Sequence, residues 1–274
     1  MFWVILVIIL IILAILSSLM IFFEVRKSKY INFIEENSVA LKEIKAINGR
    51  YVFYVVRDYS ESYVYDNENF YNNISCQDYL IYQLQFAKKE MEEEIKKANS
   101  NKLKYTKYLE EVFAIKKIDD YNASTEKMNI TYLKKLKDKM VDEIVKTPKT
   151  NFIAIVHLDC STINGRVYGY KYDVFEPEQI LSLISRLNNK SGSFYNDRGI
   201  WDAICRVERG KVSNKMRFLI YQRDGYRCCK CGRSQNSCDL EIDHIKPIAK
   251  GGKSTYDNLQ TLCSRCNKEK GDKY

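Results

Sequence analysis

The chain has 274 residues, enough for one or two domains that each bury a core. With 46% hydrophobic and 29% charged residues it has the composition of a folded protein and not of a disordered tail. A net charge of +9 favours polyanionic partners, nucleic acid or an anionic membrane face, without choosing between them.

The first element, Phe2 to Phe23 (FWVILVIILIILAILSSLMIFF), holds no charge. As a helix it would be about 33 Å long, enough to cross a hydrocarbon core of roughly 30 Å. A secretory signal would want a basic start, a shorter apolar run and a small-residue cleavage site. None is clear here, so residues 1–23 are expected to be an uncleaved anchor that meets the membrane through residues 2–23. Arg26, Lys27 and Lys29 follow at once. The positive-inside rule then gives a single-pass protein whose C-terminal domain is cytoplasmic.

Residues 24–150 read as a mainly helical region of unknown function, interrupted only by Gly49 and Pro148. Leu80, Leu84, Ala87, Met91 and Ile95 recur at helical spacing, and Glu92/Lys96 and Glu93/Lys97 add ion pairs one turn apart. A second helix is expected over Thr125–Lys146, with Ser124 as its N-cap and Ile130, Leu133, Met140 and Ile144 on one side. These stripes are packing surfaces or a short coiled coil, and helices within 78–147 could serve self-association. Tyr51–Arg57 (YVFYVVR) reads as strand.

Residues 151–187 read as a strand hairpin and a helix packed with the preceding region. Phe152–Leu158 and Arg166–Phe175 are the strands, with the Asn164-Gly165 turn between them. His157 is expected to be structural. Pro177 opens a helix over Glu178–Leu187. Residues 188–212 are expected to be a linker and a short helix.

From 213 onward the signals become specific. Lys215–Arg223 suggests a basic amphipathic helix ended by Asp224-Gly225. Cys228/Cys231 and Cys263/Cys266 are two Cys-x-x-Cys pairs, 31 residues apart. Two ligands from each of two tight turns make a closed tetrahedral thiolate site for zinc. Paired spacing and an odd total of nine cysteines fit metal in a reducing compartment better than disulfides. Cys229 and Cys238 stand close enough to replace one of the four. Between the pairs lies LEIDHIKPIAKGG (240–252), in which Asp243 directly precedes His244.

Together with Asn258 and Asn267, these residues make the segment resemble an HNH endonuclease of the subtype with two Cys-x-x-Cys pairs. The match runs through Arg223-Asp224, Cys228/Cys231, Asp243-His244-Ile245, Pro247, Gly251-Gly252, Asn258-Leu259, Cys263/Cys266, Asn267 and Lys270-Gly271-Asp272. It covers roughly residues 213–274, under a quarter of the chain.

The resemblance implies a phosphodiester hydrolase acting on DNA, expected to be double-stranded. His244 would be the general base and Asn258 would brace its loop without touching metal. Asp243 and Asn267 would hold a divalent ion, magnesium by the hardness of the donors, while Cys228, Cys231, Cys263 and Cys266 would hold structural zinc. Asn267 stands where other members carry histidine, which leaves one carboxylate and one amide, a weakly binding pair. Residues 213–274 contain 13 Lys/Arg against 7 Asp/Glu, +6 of the chain's +9. Lys246, Lys250, Lys253, Arg265 and Lys268 are the expected phosphate contacts.

The expected fold class is α+β: an N-terminal transmembrane helix, a mixed helix/strand middle region and a C-terminal ββα-metal domain with a four-cysteine zinc site. A membrane-held nuclease could act on incoming foreign DNA. The competing reading is a non-catalytic four-cysteine zinc module that tethers nucleic acid or a protein at the membrane.

Overall fold

The apolar N-terminal run continues as helix well past its last uncharged residue. In the computed structural model, which describes residues 2–117, 128–162, 164–191, 194–195 and 197–271, helix α1 spans Phe2–Asn37. Its stretch from Ile8 is long and apolar enough to cross a membrane, with Leu10, Leu13 and Phe22 exposed. Among its described side chains, those buried are Tyr30 and Ile34, near its C-terminal end.

Two compact units form, Met1–Val55 with Ala98–Thr150 and Val56–Lys97 with Asn151–Tyr274. In the first, α1 is followed by α2 (Val39–Arg50), capped by the Ser38 hydroxyl, which accepts from the Leu41 amide. The C-terminal part of α4 (Cys76–Lys116) and α5 (Ile130–Ile144) complete it. Tyr30, Ile34, Leu41, Ile44, Tyr108, Leu133 and Val141 share one core. Of the stripe expected on α5, Leu133 is buried in this core and Met140 and Ile144 pack against it, while Ile130 is exposed. The α5 helix starts later than the sequence suggested, with the Asn129 side chain accepting from the Tyr132 amide. Ser124, the expected cap, lies outside the described residues.

Tyr51–Arg57 is extended but joins no sheet, a correction to the strand reading. Its backbone bonds side chains instead. The Tyr54 amide donates to the Asn101 side chain, and the Arg57 amide to Glu94. The strand begins after it: β1 (Tyr59–Tyr65) pairs in parallel with β2 (Ala154–Ser161), which pairs antiparallel with β3 (Val167–Phe175). Along β2, Ala154, Val156, Leu158 and Cys160 face the core, the period-2 alternation of a half-covered sheet. His157 stands on the other face, its ring 4.7 Å from that of Tyr172.

Short α3 (Glu68–Asn73) and α6 (Pro177–Asn188) complete the sheet's surroundings. Proline at N1 and a reciprocal Glu176–Gln179 capping box start α6, which buries Ile180, Leu183, Ile184 and Leu187 along one stripe. The segment read as linker and short helix holds the strand pair β4 (Lys190–Ser191) and β5 (Phe194–Tyr195), then α7 (Arg198–Gly210). Asp197 caps α7 and is gripped by Arg186 through 2.6 and 3.1 Å bonds. Ile200, Ala203, Ile204, Val207 and Glu208 are its buried face.

The basic helix α8 (Asn214–Arg223) is capped by Ser213. It buries Ile220 alone while Phe218 and Leu219 stay exposed, so it lacks the amphipathic face the sequence suggested. Strands β6 (Leu240–His244) and β7 (Leu259–Cys263) form an antiparallel hairpin that runs straight into α9 (Ser264–Lys270). The order strand, strand, helix is the ββα arrangement expected for this segment.

Candidate functional site

Two tight turns bring the four thiols together. After α8, the Cys228 amide bonds the Arg233 carbonyl, and the Gly232 amide returns to the Cys228 carbonyl with φ +75° at Gly232. The second turn is the junction of β7 and α9, where Cys263 is also the N-cap of the helix. The Sγ atoms of Cys228, Cys231, Cys263 and Cys266 all lie within 4.8 Å of one another, and the Cys231–Cys263 pair is 3.8 Å apart. A tetrahedron of Zn–S bonds about 2.3 Å long has edges of about 3.8 Å, so the cluster suggests zinc binding. Cys238 packs beside it with its thiol on the Ser234 carbonyl, and exposed Cys229 lies toward Asp224. Neither belongs to the cluster.

The hairpin is clamped to α8 by Arg223 and Asp224. Arg223 donates to the Tyr256 and Leu259 carbonyls and to the Asp224 carboxylate, which accepts from the Thr261 amide at 2.8 Å. The loop between β6 and β7 is braced from inside by Asn258. Its amide bonds both the N–H and the carbonyl of Lys246, and the carbonyl of Lys253. Gly252 is needed in this loop, because a Cβ there would sit 1.8 Å from the Lys246 carbonyl oxygen. His244 is thus held at the end of a short strand by a loop tied at several points.

Around His244 the bonding is directional. Its Nε2 lies 2.8 Å from Ser254 Oγ, and that hydroxyl donates to the Glu208 carbonyl at 2.5 Å. A carbonyl only accepts, so the serine proton is committed there and Ser254 accepts from the imidazole. Nε2 carries the proton, and Nδ1 keeps its lone pair. Burial pulls the His244 pKa below the ordinary imidazole value, with Arg209 and Lys270 acting the same way and Asp243 and Glu208 opposing. The ring is accordingly neutral at pH 7.

Glu208, only 1% exposed, also accepts from Tyr82, Lys253 and the Ser254 amide. Burial alone would raise its pKa, but these donors and nearby Lys211 hold it below the usual carboxylate value. The charged group therefore ties α7 and α4 to the His244 loop.

Asp243 and Asn267 line the same cavity of about 380 Å³ as His244. Asp243 Oδ2 meets Lys270 Nζ at 3.0 Å and accepts from Gln260, while Asn267 donates to Glu241 at 2.6 Å. Lys270 also donates to the His244 carbonyl. Both residues bring a side-chain oxygen to the cavity, with Asp243 Oδ2 engaged by Lys270 and Gln260.

The expected phosphate contacts stand elsewhere. None of Lys246, Lys250, Lys253, Arg265 or Lys268 lines the cavity. Lys253 is paired with Glu208 and lies over the Tyr82 and Phe86 rings, and Arg265 is paired with Glu269. The cations that do line it are Arg209, Arg217 and Lys270. Ser254, Glu208 and Arg209 were not singled out from the sequence; they carry no local motif, and only long-range folding brings them to His244.

Residues 228–273 match the family model of the HNH endonuclease. The HNH segment therefore contains the zinc-type thiol cluster, the His244 loop and α9. A segment of 57 residues is 39% identical to the CRISPR-associated endonuclease Cas9 of Corynebacterium diphtheriae, covering 20% of this chain and 5% of that protein. No solved structure matches the chain. The HNH match and the endonuclease relative support a nuclease domain in this segment.

Proposed function

We propose that the protein is a membrane-anchored, divalent-metal-dependent endonuclease in which His244 is the general base for hydrolysis of DNA phosphodiester bonds. The observation that carries this reading is the proton order around His244. With Nε2–H on Ser254, Nδ1 is left as the unprotonated nitrogen of a ring that lines the cavity with Asp243 and Asn267.

In this reading Nδ1 takes a proton from water as the water oxygen attacks phosphorus. Ser254 holds the ring in register and stabilises the imidazolium through the Nε2–H bond. A divalent ion held by Asp243 and Asn267 would supply charge stabilisation on the phosphoryl and departing oxygens. Asn258 keeps the loop rigid so that the base does not drift. Zinc on Cys228, Cys231, Cys263 and Cys266 would fasten β7 and α9 to the first knuckle, a structural role in a domain with a small core.

The anchor is α1, with the C-terminal side in the cytoplasm. Supporting this are its apolar, exposed length and the basic residues that follow. A nuclease at that surface would meet foreign DNA as it enters, which is the biological role we infer. Deleting the gene should then raise susceptibility to phage or plasmid entry.

The decisive experiment uses the full chain in detergent with magnesium or manganese. Wild type should cleave DNA and His244→Ala should lose about 10²–10⁴-fold with its zinc content unchanged. Equal, chelator-insensitive background cleavage by both proteins would remove the nuclease reading. DNA binding without turnover in any divalent metal would favour the zinc-tether alternative.

A further inference from the structure

The cavity that holds His244 is not walled by the HNH segment alone. Phe70 from α3, Trp201 and Arg209 from α7, and Arg217 from α8 face Asp243, His244 and Asn267 across it. Its volume of about 380 Å³ lies near the lower end of pockets that take one small molecule, about 300–1,000 Å³. The side chains of Asp243 and Lys270 are 14% and 15% exposed. Asp243 therefore lies low in the cavity wall, packed against Lys270 and Gln260.

We propose that this wall makes the active site a one-nucleotide pocket for an unpaired strand of DNA, gripped by Arg209 and Arg217 and flanked by Phe70 and Trp201. The proposal rests on the nuclease reading and replaces its double-stranded expectation.

Three features of the wall support this substrate. The first is free charge. The Arg209 side chain is exposed and has no hydrogen-bond or ion-pair partner among the described residues, and Arg217 lies with its guanidinium 5.6 Å from the Phe70 ring centre. Cations without a carboxylate partner at a nuclease site are available to phosphate.

The second is chemistry. Aromatic faces interleaved with guanidinium groups are what single strands bind, since every unpaired base has a π-face and every residue a phosphate. A duplex hides those faces. It could reach this pocket only by extruding a nucleotide, losing pairing and stacking, whereas an unpaired strand enters directly.

The third is continuity. Phe70 and Arg209 also line a second cavity of about 840 Å³, together with Asn72, Lys171, Arg206 and the carboxylates of Asp78 and Asp173. Arg206 is paired with Asp78, and Lys171 caps the Tyr71 and Ile74 carbonyls, so the new charge comes from Arg209. The two cavities give the strand a path past α7 beyond the scissile nucleotide.

The test compares three end-labelled substrates of one sequence: a single strand, its full duplex, and a duplex with a short central bubble. The full chain in detergent is assayed with magnesium or manganese, and binding is measured by anisotropy with calcium in their place. The single strand and the bubble should be cut about tenfold faster than the duplex or more. Arg209→Gln and Trp201→Ala should each weaken single-strand binding by about tenfold, with zinc content unchanged.

Should Trp201→Ala fail to fold, exposed Arg209 gives the answer alone. Duplex cleavage as fast as single-strand cleavage overturns the inference and leaves the nuclease reading intact. If nothing is cut, the nuclease reading fails and binding decides. A single-strand preference lost in Arg209→Gln supports the pocket, and equal binding of strand and duplex overturns it.

Discussion

His244 Nε2 lies 2.8 Å from the hydroxyl of Ser254, a residue whose own proton is held by the Glu208 carbonyl at 2.5 Å. The bond fixes which imidazole nitrogen is basic. Ser254→Ala removes the hydroxyl that accepts Nε2–H and frees the ring to change tautomer. Turnover should fall about tenfold or more while substrate affinity holds. The chain has two histidines, so ¹⁵N-histidine spectra of wild type and His244→Ala assign both. The His244 signal should show protonated Nε2 in wild type and a tautomer mixture in Ser254→Ala. An unchanged tautomer with unchanged turnover would deny Ser254 its role.

The thiol cluster predicts one zinc per chain. Serine at Cys228, Cys231, Cys263 or Cys266 should each abolish zinc binding and unfold the HNH segment. Serine at Cys229 or Cys238, which lie outside the cluster, should leave the metal in place. Structural zinc contributes apparent free energies on the order of 10–16 kcal/mol in small modules, far beyond what Leu262 and the buried cysteines of this core can replace. Metal analysis of the purified variants, with circular dichroism, reads both effects.

Gly251 and Gly252 separate two reasons for glycine. At Gly251 φ is +80° and the space is open, so Gly251→Ala should cost about 1 kcal/mol of backbone strain. At Gly252 the added Cβ meets the Lys246 carbonyl at 1.8 Å, and the loop carrying His244 must open. Gly252→Ala should lose most activity, Gly251→Ala little, and the ranking is checked by thermal melts beside cleavage rates.

Much of the HNH segment was legible because its chemistry is local. The Cys pairs, Asp243-His244 and Asn258 sit at fixed spacing within a short hairpin and helix, so sequence order is nearly spatial order. Asn258 bonds Lys246 and Lys253 across the loop that follows His244. The helix at Pro177 and the hairpin before it were legible from capping and alternation. Tyr51–Arg57 misled because β-branched and aromatic residues fit extended backbone of any kind, and its partners turned out to be the Asn101 and Glu94 side chains. The wall of the His244 cavity was illegible for a different reason. Phe70 and Arg209 come from helices 174 and 35 residues before His244 in sequence, and no periodicity records which distant face a helix will meet.

Helix α7 presents both Glu208 and Arg209 to the site, and its start depends on Asp197. The Arg186 guanidinium beside it and the amide of Ile200 hold the Asp197 carboxyl down at about 2. In the unfolded chain it returns to about 3.9. A depressed carboxylate stabilises the fold fully above the unfolded value, and that contribution is lost as pH falls through the folded one. Stability of the unit should therefore decline between about pH 4 and pH 2, with Asp197 one contributor among the carboxylates. Asp197→Ala removes the cap and should cost about 0.5–2 kcal/mol at pH 7, with less of the acid loss remaining. Arg186→Gln keeps the cap but returns the carboxyl toward its ordinary value, so its acid decline should start at the same pH, set by the unfolded chain, but end at a higher pH and be smaller in total. Urea melts of the three proteins at several pH values decide this. Parallel pH profiles for wild type and both variants would show that the Arg186–Asp197 pair does not set the start of α7.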